Sequence, residues 1–460
     1  AALAHTGSLA GAVAAFDAVA ADAGVIRADT LDDAVELAEL LAHTGAPTGR
    51  RLGAVTLSGA YRGLLLDAAE RHGLSFPKLA PETVASLEKV MGVGSLISNP
   101  IDGGFSVLSS PQAYKACIEA MQADPNIDMV LLQEAIPREP GSNRAEAYIK
   151  LVEDYVAEGG HKPLSFVTLT SHGQTAHSRA TRHGAPHVSF LQEANKALRA
   201  IASAARRGEA EALVDRTEPP ATAPALVNEL RAQAAQLLAP LALDEARSKA
   251  LLAAYGVPLP KEGLTQDVEA GVALATRIGF PVVLKAVCAT LTHKSDVGAV
   301  QLDLRDAEAV RAAWTRIEAN LVAHGFSDAL EGMLVAQMVT GGLELVMGVH
   351  RDPEMGPVIM GGSGGVLLEL VRDVAFAAPP LNLAKAHDLI ARTKAGALMK
   401  GYRGSGALDA QAYALALLAL GRLAHDLGDA LDSIDVNPFL LRREGGVALD
   451  ALVVLHPPAR

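Results

Sequence analysis

The chain has 460 residues, a formal net charge of -12, and a composition that is half hydrophobic but only 4% aromatic. That length exceeds what one hydrophobic core usually fills, so two or three domains are expected, and the acidic balance gives nucleic acid no electrostatic footprint. Its two cysteines, Cys117 and Cys288, lie far apart in apolar settings with no CxxC pair, which suggests neither a disulfide framework nor a zinc site and favours a reducing compartment.

No run approaches the roughly twenty apolar residues that span a bilayer, and the first residues lack the charged-then-apolar pattern of a signal peptide. A cytoplasmic protein without a membrane partner is expected. The chain opens at Ala1 and enters a glycine-punctuated loop at once, which suggests that a longer polypeptide precedes this point.

His5 lies in that loop, ahead of a helix predicted over 11–21, with Thr6 and Ser8 placed as caps. A helix start there aims backbone N–H groups and the positive dipole end at the loop, a setting that stabilises a phosphate on an imidazole ring. The plain alternative is a surface histidine in a turn. A second helix is predicted over 29–43, and 45–51 reads as a boundary.

From residue 52 the pattern becomes strand, turn, helix. Strands are predicted over 52–57, 129–133 and 164–168, and helices over 62–72, 111–123, 144–157 and 189–206. Such alternation implies a parallel sheet covered on both faces, with ligands held at the carboxyl ends of its strands. Ser58-Gly59 and the loop Asn99-Pro100-Ile101-Asp102-Gly103-Gly104 fall at those ends. His172, His177, His183 and His187 cluster without a clean metal spacing.

Residues 208–240, with Glu218-Pro219-Pro220, form the best linker candidate. A second unit opens with a helix over 244–255, continues with strands over 282–287, 299–303, 333–337, 344–350 and 357–360, and closes with a strand over 447–454. Its strand pairs look α+β.

Lys285 sits inside the apolar strand Val282-Val283-Leu284-Lys285-Ala286-Val287. A buried lysine needs a partner, so the choice lies between an anionic ligand and a side chain that snorkels to solvent. His293 follows in a loop longer than a usual hairpin connection. Gln337-Met338-Val339 follows a strand and is placed to offer backbone groups to a purine, and Glu344 to hold ribose hydroxyls. Asn437 and Asp450 offer the oxygen ligands that magnesium takes, although Asp435-Val436-Asn437-Pro438 also reads as an ordinary turn before proline. Gly361-Gly362-Ser363-Gly364-Gly365 resembles an anion-cradling loop, yet no GKS or GKT follows it.

In this order the motifs resemble the NDP-forming acyl-CoA synthetase family, relatives of succinyl-CoA synthetase and of the ADP-forming acetyl-CoA synthetases. The resemblance rests on 5–11, 55–63, 99–102, 281–300, 335–348, 352–365, Gly401-Tyr402-Arg403-Gly404 and 435–438, nearly the whole chain. It implies a flavodoxin-like parallel-sheet ligase domain over 46–207, a linker over 208–240 and an α+β ATP-grasp domain over 241–460. Residues 1–45 become the tail of a second ligase-like domain, carrying the phosphohistidine loop. The family's CoA-binding domain lies upstream, so this chain would need it as a further domain or subunit, within a homo-oligomer.

Carried over by residue, the resemblance makes His5 the histidine phosphorylated near the CoA and acyl site, and His293 the one that takes phosphate from ATP. Lys285 faces the nucleotide phosphates, Glu344 the ribose, Asn437 and Asp450 the magnesium, and Asp435 steadies the histidine at the nucleotide site. Three departures stand out. The turn Ser58-Gly59-Ala60-Tyr61-Arg62-Gly63 has fewer glycines than in many relatives, Gly103-Gly104-Phe105 replaces a threonine-containing continuation, and Ala377 stands where some relatives carry arginine.

The expected activity is ADP-forming ligation of a carboxylic acid to CoA, with ATP and magnesium, through phosphohistidine and acyl phosphate. The bulky Tyr61-Arg62 turn tilts the acid toward an aromatic one such as ferulate. A regulatory or partner subunit, related to the acyl-CoA-synthetase-like protein acetyltransferases, is the rival; retained His5 and His293 argue against it.

Overall fold

The computed structural model describes residues 12–91, 97–141, 143–159, 161–213, 224–288, 291, 294, 296–401 and 406–457. They divide into two compact units: Ala23–Ala212, and Leu213–Arg460 together with the segment up to Asp22.

In the first unit, helix α1 (Leu31–His43) precedes strand β1 (Leu52–Thr56) and helix α2 (Gly59–His72). Then come β2 (Ile101–Asp102), α3 (Pro111–Ala123), β3 (Met129–Gln133), α4 (Asn143–Ala157), β4 (Leu164–Thr168), β5 (Ser189–Gln192) and α5 (Ala194–Leu213). The strands lie in the order β2-β1-β3-β4-β5, every neighbouring pair parallel. Side chains alternate across a strand, so Val130 and Leu132 of β3 enter one core with Ile118, Tyr148 and Phe166. Met129 and Leu131 enter the other with Leu65, Leu198 and Ile201. Burial on both faces is why these strands read as unbroken apolar runs.

The helix expected over 189–206 is two elements. Phe190 and Leu191 belong to opposite cores, the period-2 signature of a strand, and α5 starts only at Ala194, after Glu193 turns the chain with φ 61°. This makes β5 the sheet edge. Its outward amides would be unpaired, but Phe190 N donates to Glu39 Oε1 (2.9 Å), Gln192 N to Glu36 Oε2 (2.9 Å) and Ser189 N to Thr44 Oγ1 (3.0 Å). Thus α1 seals the edge with carboxylates.

The second unit contains β6 (Leu241–Ala242), α6 (Glu245–Ala254), β7 (Glu262–Thr265), α7 (Val268–Ile278), β8 (Val282–Cys288) and β9 (Val300–Leu304). It continues with α8 (Ala307–Ala323), β10 (Leu330–Gln337), β11 (Leu343–Asp352), β12 (Gly356–Ser363), β13 (Val374–Ala377), α9 (Ala410–Leu427), β14 (Leu431–Leu441), β15 (Gly446–Ala448) and β16 (Leu452–Leu455). A four-stranded sheet in the order β7-β10-β8-β9 packs against α7 and α8 around Trp314. A larger sheet runs β13-β12-β11-β14-β16-β6, with β15 on β14, and buries one face under α9. Helix Ala12–Asp22 lays Ala15 and Ala18 against Val358 of β12.

Two more expectations change. The stretch 208–240 contains the helix Ala225–Ala234, whose Val227, Leu230 and Ala234 are buried in the main core of this unit. The strand expected over 447–454 is interrupted at Leu449-Asp450-Ala451, where Leu449 N donates to Pro438 O (3.0 Å). Two positions of the glycine run have a packing role. A Cβ on Gly361 would lie 2.7 Å from Leu389 Cδ2, and one on Gly362 2.2 Å from Asp373 O, so close packing explains both glycines. Among the described residues no helix is long and apolar enough to cross a membrane.

Candidate functional site

At the carboxyl edge of the parallel sheet, the strand order places β1 at the switch point between connections that run to opposite sides. Ser58 is the N-cap of α2 in extended conformation (φ -155°, ψ 123°), and its side chain makes no capping hydrogen bond. Helix α2 therefore begins at Gly59, three residues earlier than expected. Asp102 crowds Gly59, where an added Cβ would lie 3.1 Å from Asp102 Oδ2. Gln133 Oε1 accepts from Leu57 N (2.8 Å), tying β3 to the same edge. Asn99 is consumed structurally: its Nδ2 donates to Leu52 O (2.7 Å) and Pro77 O (3.0 Å).

This geometry removes one sequence argument. Tyr61 lies in a helix, not in an open turn; it is buried, and its hydroxyl donates to Thr168 O at 3.2 Å. Burial pushes that phenol well above its ordinary pKa. Tyr61 is a core side chain and says nothing about the acid bound.

The second unit assembles a site of different character. Lys285, in the middle of β8, donates from Nζ to Glu245 Oε1 (2.8 Å) and to Leu449 O (2.9 Å). Its partner is thus a protein carboxylate, rather than solvent. Glu245 is the first residue of α6, and its Oε1 also meets Lys249 Nζ (2.8 Å), one helical turn on. Lys249 in turn reaches Glu262 Oε2 (2.8 Å) on β7, and Lys294 reaches Glu245 Oε2 (2.5 Å). Three lysines converge on one carboxylate whose side chain is 1% exposed.

Electrostatics follow from this. Burial opposes ionisation of Glu245, yet the charges of Lys285, Lys249 and Lys294 outweigh it and hold the carboxyl far below the ordinary range. For Lys285, burial pulls the pKa down, but Asp450 and Glu245 overcome it and raise the value. Asp450 moves the other way from Glu245: burial first, and then the charge of Glu245, push it up. A pair of carboxyl groups in one cluster is thereby driven apart.

The stretches that carry Asp450 and Asn437 are adjacent, as expected: Leu449 N donates to Pro438 O (3.0 Å). Between β11 and β14 the register slips so that Leu345 pairs with Phe439 but Met347 with Val436, an extra residue in β14. That bulge takes Asn437 out of the buried run, leaving it half-buried while Asp435 and Val436 stay buried. A carboxylate and an amide oxygen are the hard donors that magnesium takes when it keeps several waters and phosphate oxygens, so this pair fits the ion. Among the described residues no group of three or more His, Cys, Asp or Glu is arranged for a metal.

The expected purine segment is only partly available. Gln337 N donates to Lys261 O (2.8 Å) and Met338 N to Pro281 O (3.1 Å), so these two amides are engaged within the protein. Glu344 is exposed on β11 beside Gly365, where a Cβ would lie 2.4 Å from its Oε2. Ala377 is buried in β13, paired with Ile359. His5 and His293 lie outside the described residues. Sequence reasoning missed Glu245, Lys249, Glu262 and Lys294. The available signal was helical: Glu245, Ser248, Lys249 and Leu252 share the buried stripe of α6.

Residues 238–455, which hold both sheets of the second unit, Lys285, Asn437 and Asp450, match the ATP-grasp domain family. The chain is 32% identical over 460 residues to a trans-feruloyl-CoA synthase from an unknown prokaryotic organism, covering 98% of this chain and 62% of that protein. It is 34% identical over 216 residues to the beta subunit of an ADP-forming acetate–CoA ligase II from Pyrococcus furiosus, covering 46% of this chain and 92% of that subunit. A solved structure of the dinucleotide-forming acetyl-coenzyme A synthetase 1 of Ca. Korarchaeum cryptofilum, with coenzyme A and AMPCP, is 37% identical. It covers 47% of this chain and 94% of that chain, with a TM-score of 0.45. The chain belongs to the NDP-forming acyl-CoA synthetase family. It spans 62% of the length of the feruloyl relative.

Proposed function

We propose that this chain supplies the ATP-driven half of an ADP-forming acid–CoA ligase, loading phosphate from ATP onto histidine. The observation that carries this reading is the convergence of Lys249, Lys285 and Lys294 on Glu245, with Asp450 and Asn437 alongside. Such a cluster places cations where the charge of a transferring phosphoryl group must be balanced. His293 immediately precedes Lys294 in the sequence.

An imidazole nitrogen of His293 attacks the γ-phosphorus of ATP, the bond to the β-phosphate oxygen breaks, and ADP leaves. Lys285 and Lys294 meet the phosphate oxygens, Val339 the base and Glu344 the ribose, while Asp435 steadies the histidine. Asn437 and Asp450 would hold magnesium, which supplies charge neutralisation at the phosphates. Phosphate then passes to His5 and on to the substrate carboxylate. The resulting acyl phosphate loses inorganic phosphate when the CoA thiolate attacks its carbonyl. The helix start at Ser58-Gly59 offers backbone N–H groups of the kind that hold a phosphate.

The acid in this reading is aromatic, a hydroxycinnamate such as ferulate; similarity to a feruloyl-CoA synthase supports it, now that Tyr61 does not. CoA is taken from a CoA-binding domain or subunit acting with residues 46–207, with residues 241–460 as the ATP-grasp portion, in a cytoplasmic homo-oligomer. Incubation with γ-labelled ATP and magnesium tests the core claim: acid-labile, base-stable label is expected on the protein. Nucleotide binding without transferable label would make the chain a regulatory subunit instead.

A further inference from the structure

The three lysines around Glu245 are not equivalent. Lys249 is 1% exposed and pinned on both sides, by Glu245 on its own helix and by Glu262 on β7. Lys285 and Lys294 are 13% and 15% exposed, so of the three lysines these two reach the surface of the cluster. The two sit on different oxygens of the same carboxylate: Lys285 on Oε1, which it shares with Lys249, and Lys294 on Oε2. The distance between these two cations is therefore set by the width of one carboxylate, and its orientation is set by Lys249.

An ammonium has three donors. Among the described residues, Lys285 uses one on Glu245 and one on Leu449 O, and Lys294 uses one on Glu245, fewer than the three each ammonium carries. Lys285 also joins the sheets: it comes from the four-stranded sheet, and its acceptor Leu449 O lies between strands β15 and β16 of the larger one.

From this geometry we infer that Glu245 is a positioning residue for phosphoryl transfer, a buried anion anchored by Lys249 that fixes Lys285 and Lys294 side by side for adjacent phosphate oxygens. The inference rests on the ATP-dependent reading above. Glu245 touches no substrate.

Glu245→Gln keeps the shape and removes the charge, leaving the cluster one unit more positive. Affinity for a non-hydrolysable ATP analogue should then stay within about threefold of wild type or tighten. The single-turnover rate of labelling from γ-labelled ATP should fall on the order of 100-fold, as displacement of a positioning group by about 1 Å does. Glu245→Asp, which keeps the charge, should recover part of that rate. A merely structural role would lower the labelled fraction and the melting temperature while the folded fraction kept its rate.

Lys294→Met, which leaves the Lys249 anchor intact, should slow the rate at preserved affinity and decides the matter if Glu245→Gln does not fold. Labelling at the wild-type rate in Lys294→Met, or in folded Glu245→Gln, overturns the inference. Absence of label on wild-type protein overturns the ATP-dependent reading instead.

Discussion

The two units carry their candidate sites in opposite ways. The parallel-sheet unit presents backbone: an N-cap serine, a helix start at Gly59 and an edge tied by Gln133, with few charges. The ATP-grasp unit presents charge: six ionisable side chains in one cluster, with Glu245 and Lys249 almost wholly buried. In the proposed reading a backbone site suits a phosphoryl group already carried on histidine as a phosphoramidate, whereas a charged site balances the larger charge of a triphosphate. Buried carboxylates occur in both, but they do different work. Glu36 and Glu39 seal a strand edge, while Glu245 holds cations.

This contrast can be broken at several points. The largest effect is expected from Lys285→Met, which removes the strand cation and should cut labelling from ATP by about 10²- to 10³-fold in rate. Ser58→Ala, at the backbone site, should leave ATP-driven labelling unchanged; a comparable loss there would erase the distinction between the units. Next, Asn437→Ala should raise the magnesium concentration needed for half-maximal labelling by about 10-fold or more, read by titrating the ion at fixed ATP.

Packing around the second site gives a smaller, measurable effect. The Tyr413 hydroxyl donates to Val346 O (2.6 Å) and accepts from Gly362 N (3.0 Å) inside the core. Tyr413→Phe leaves both groups without that partner and should destabilise the unit by about 1–3 kcal/mol in chemical denaturation.

The smallest effect concerns pH. Burial and the charge of Glu245 raise the Asp450 pKa. A carboxyl raised in the folded state contributes stability that is present below its unfolded pKa and lost as pH rises through the folded one. Asp450→Asn should therefore raise the melting temperature at pH 7 by on the order of 2 °C, a gain that shrinks as the solution is acidified. Asp128 has the opposite sign. Burial works against its ionisation, but hydrogen bonds and charge from Arg51 prevail and hold its pKa down. Its contribution is present above the unfolded value, about 3.9, and is lost as pH falls through the folded one, so Arg51→Ala should flatten the acid limb of the melting curve.

Much of the architecture was legible. Strands β3 and β4 and helix α3 fall where the sequence pattern puts them, because a doubly buried strand and an amphipathic helix both write their period into hydrophobicity. The failures have physical causes. Strand β5 is only four residues long and runs almost directly into α5, so its period-2 signal is swamped by the helix behind it. Helix Ala225–Ala234 lies in a stretch whose prolines read as linker, and only tertiary burial of Val227 and Leu230 discloses it.

At the site, Lys285 was visible because a charge inside an apolar strand is anomalous. Glu245 and Lys249 were not, since an i,i+4 acid–base pair on a helix looks like any solvated pair until its exposure is known. The placement of Asn437 depended on a bulge, which no hydrophobic period encodes. Tyr61 misled for the converse reason: a bulky residue after Ser58-Gly59 reads as a turn residue facing a ligand, whereas Gly59 already starts the helix that turns Tyr61 inward.

The central claim is that phosphate enters this chain at the ATP-grasp unit and only afterwards reaches His5. It is tested most directly by labelling wild type, His293→Ala and His5→Ala with γ-labelled ATP and magnesium, followed by peptide mapping of acid-labile label. The account predicts no label on His293→Ala and label at His293 in His5→Ala. Undiminished labelling of His293→Ala would contradict it.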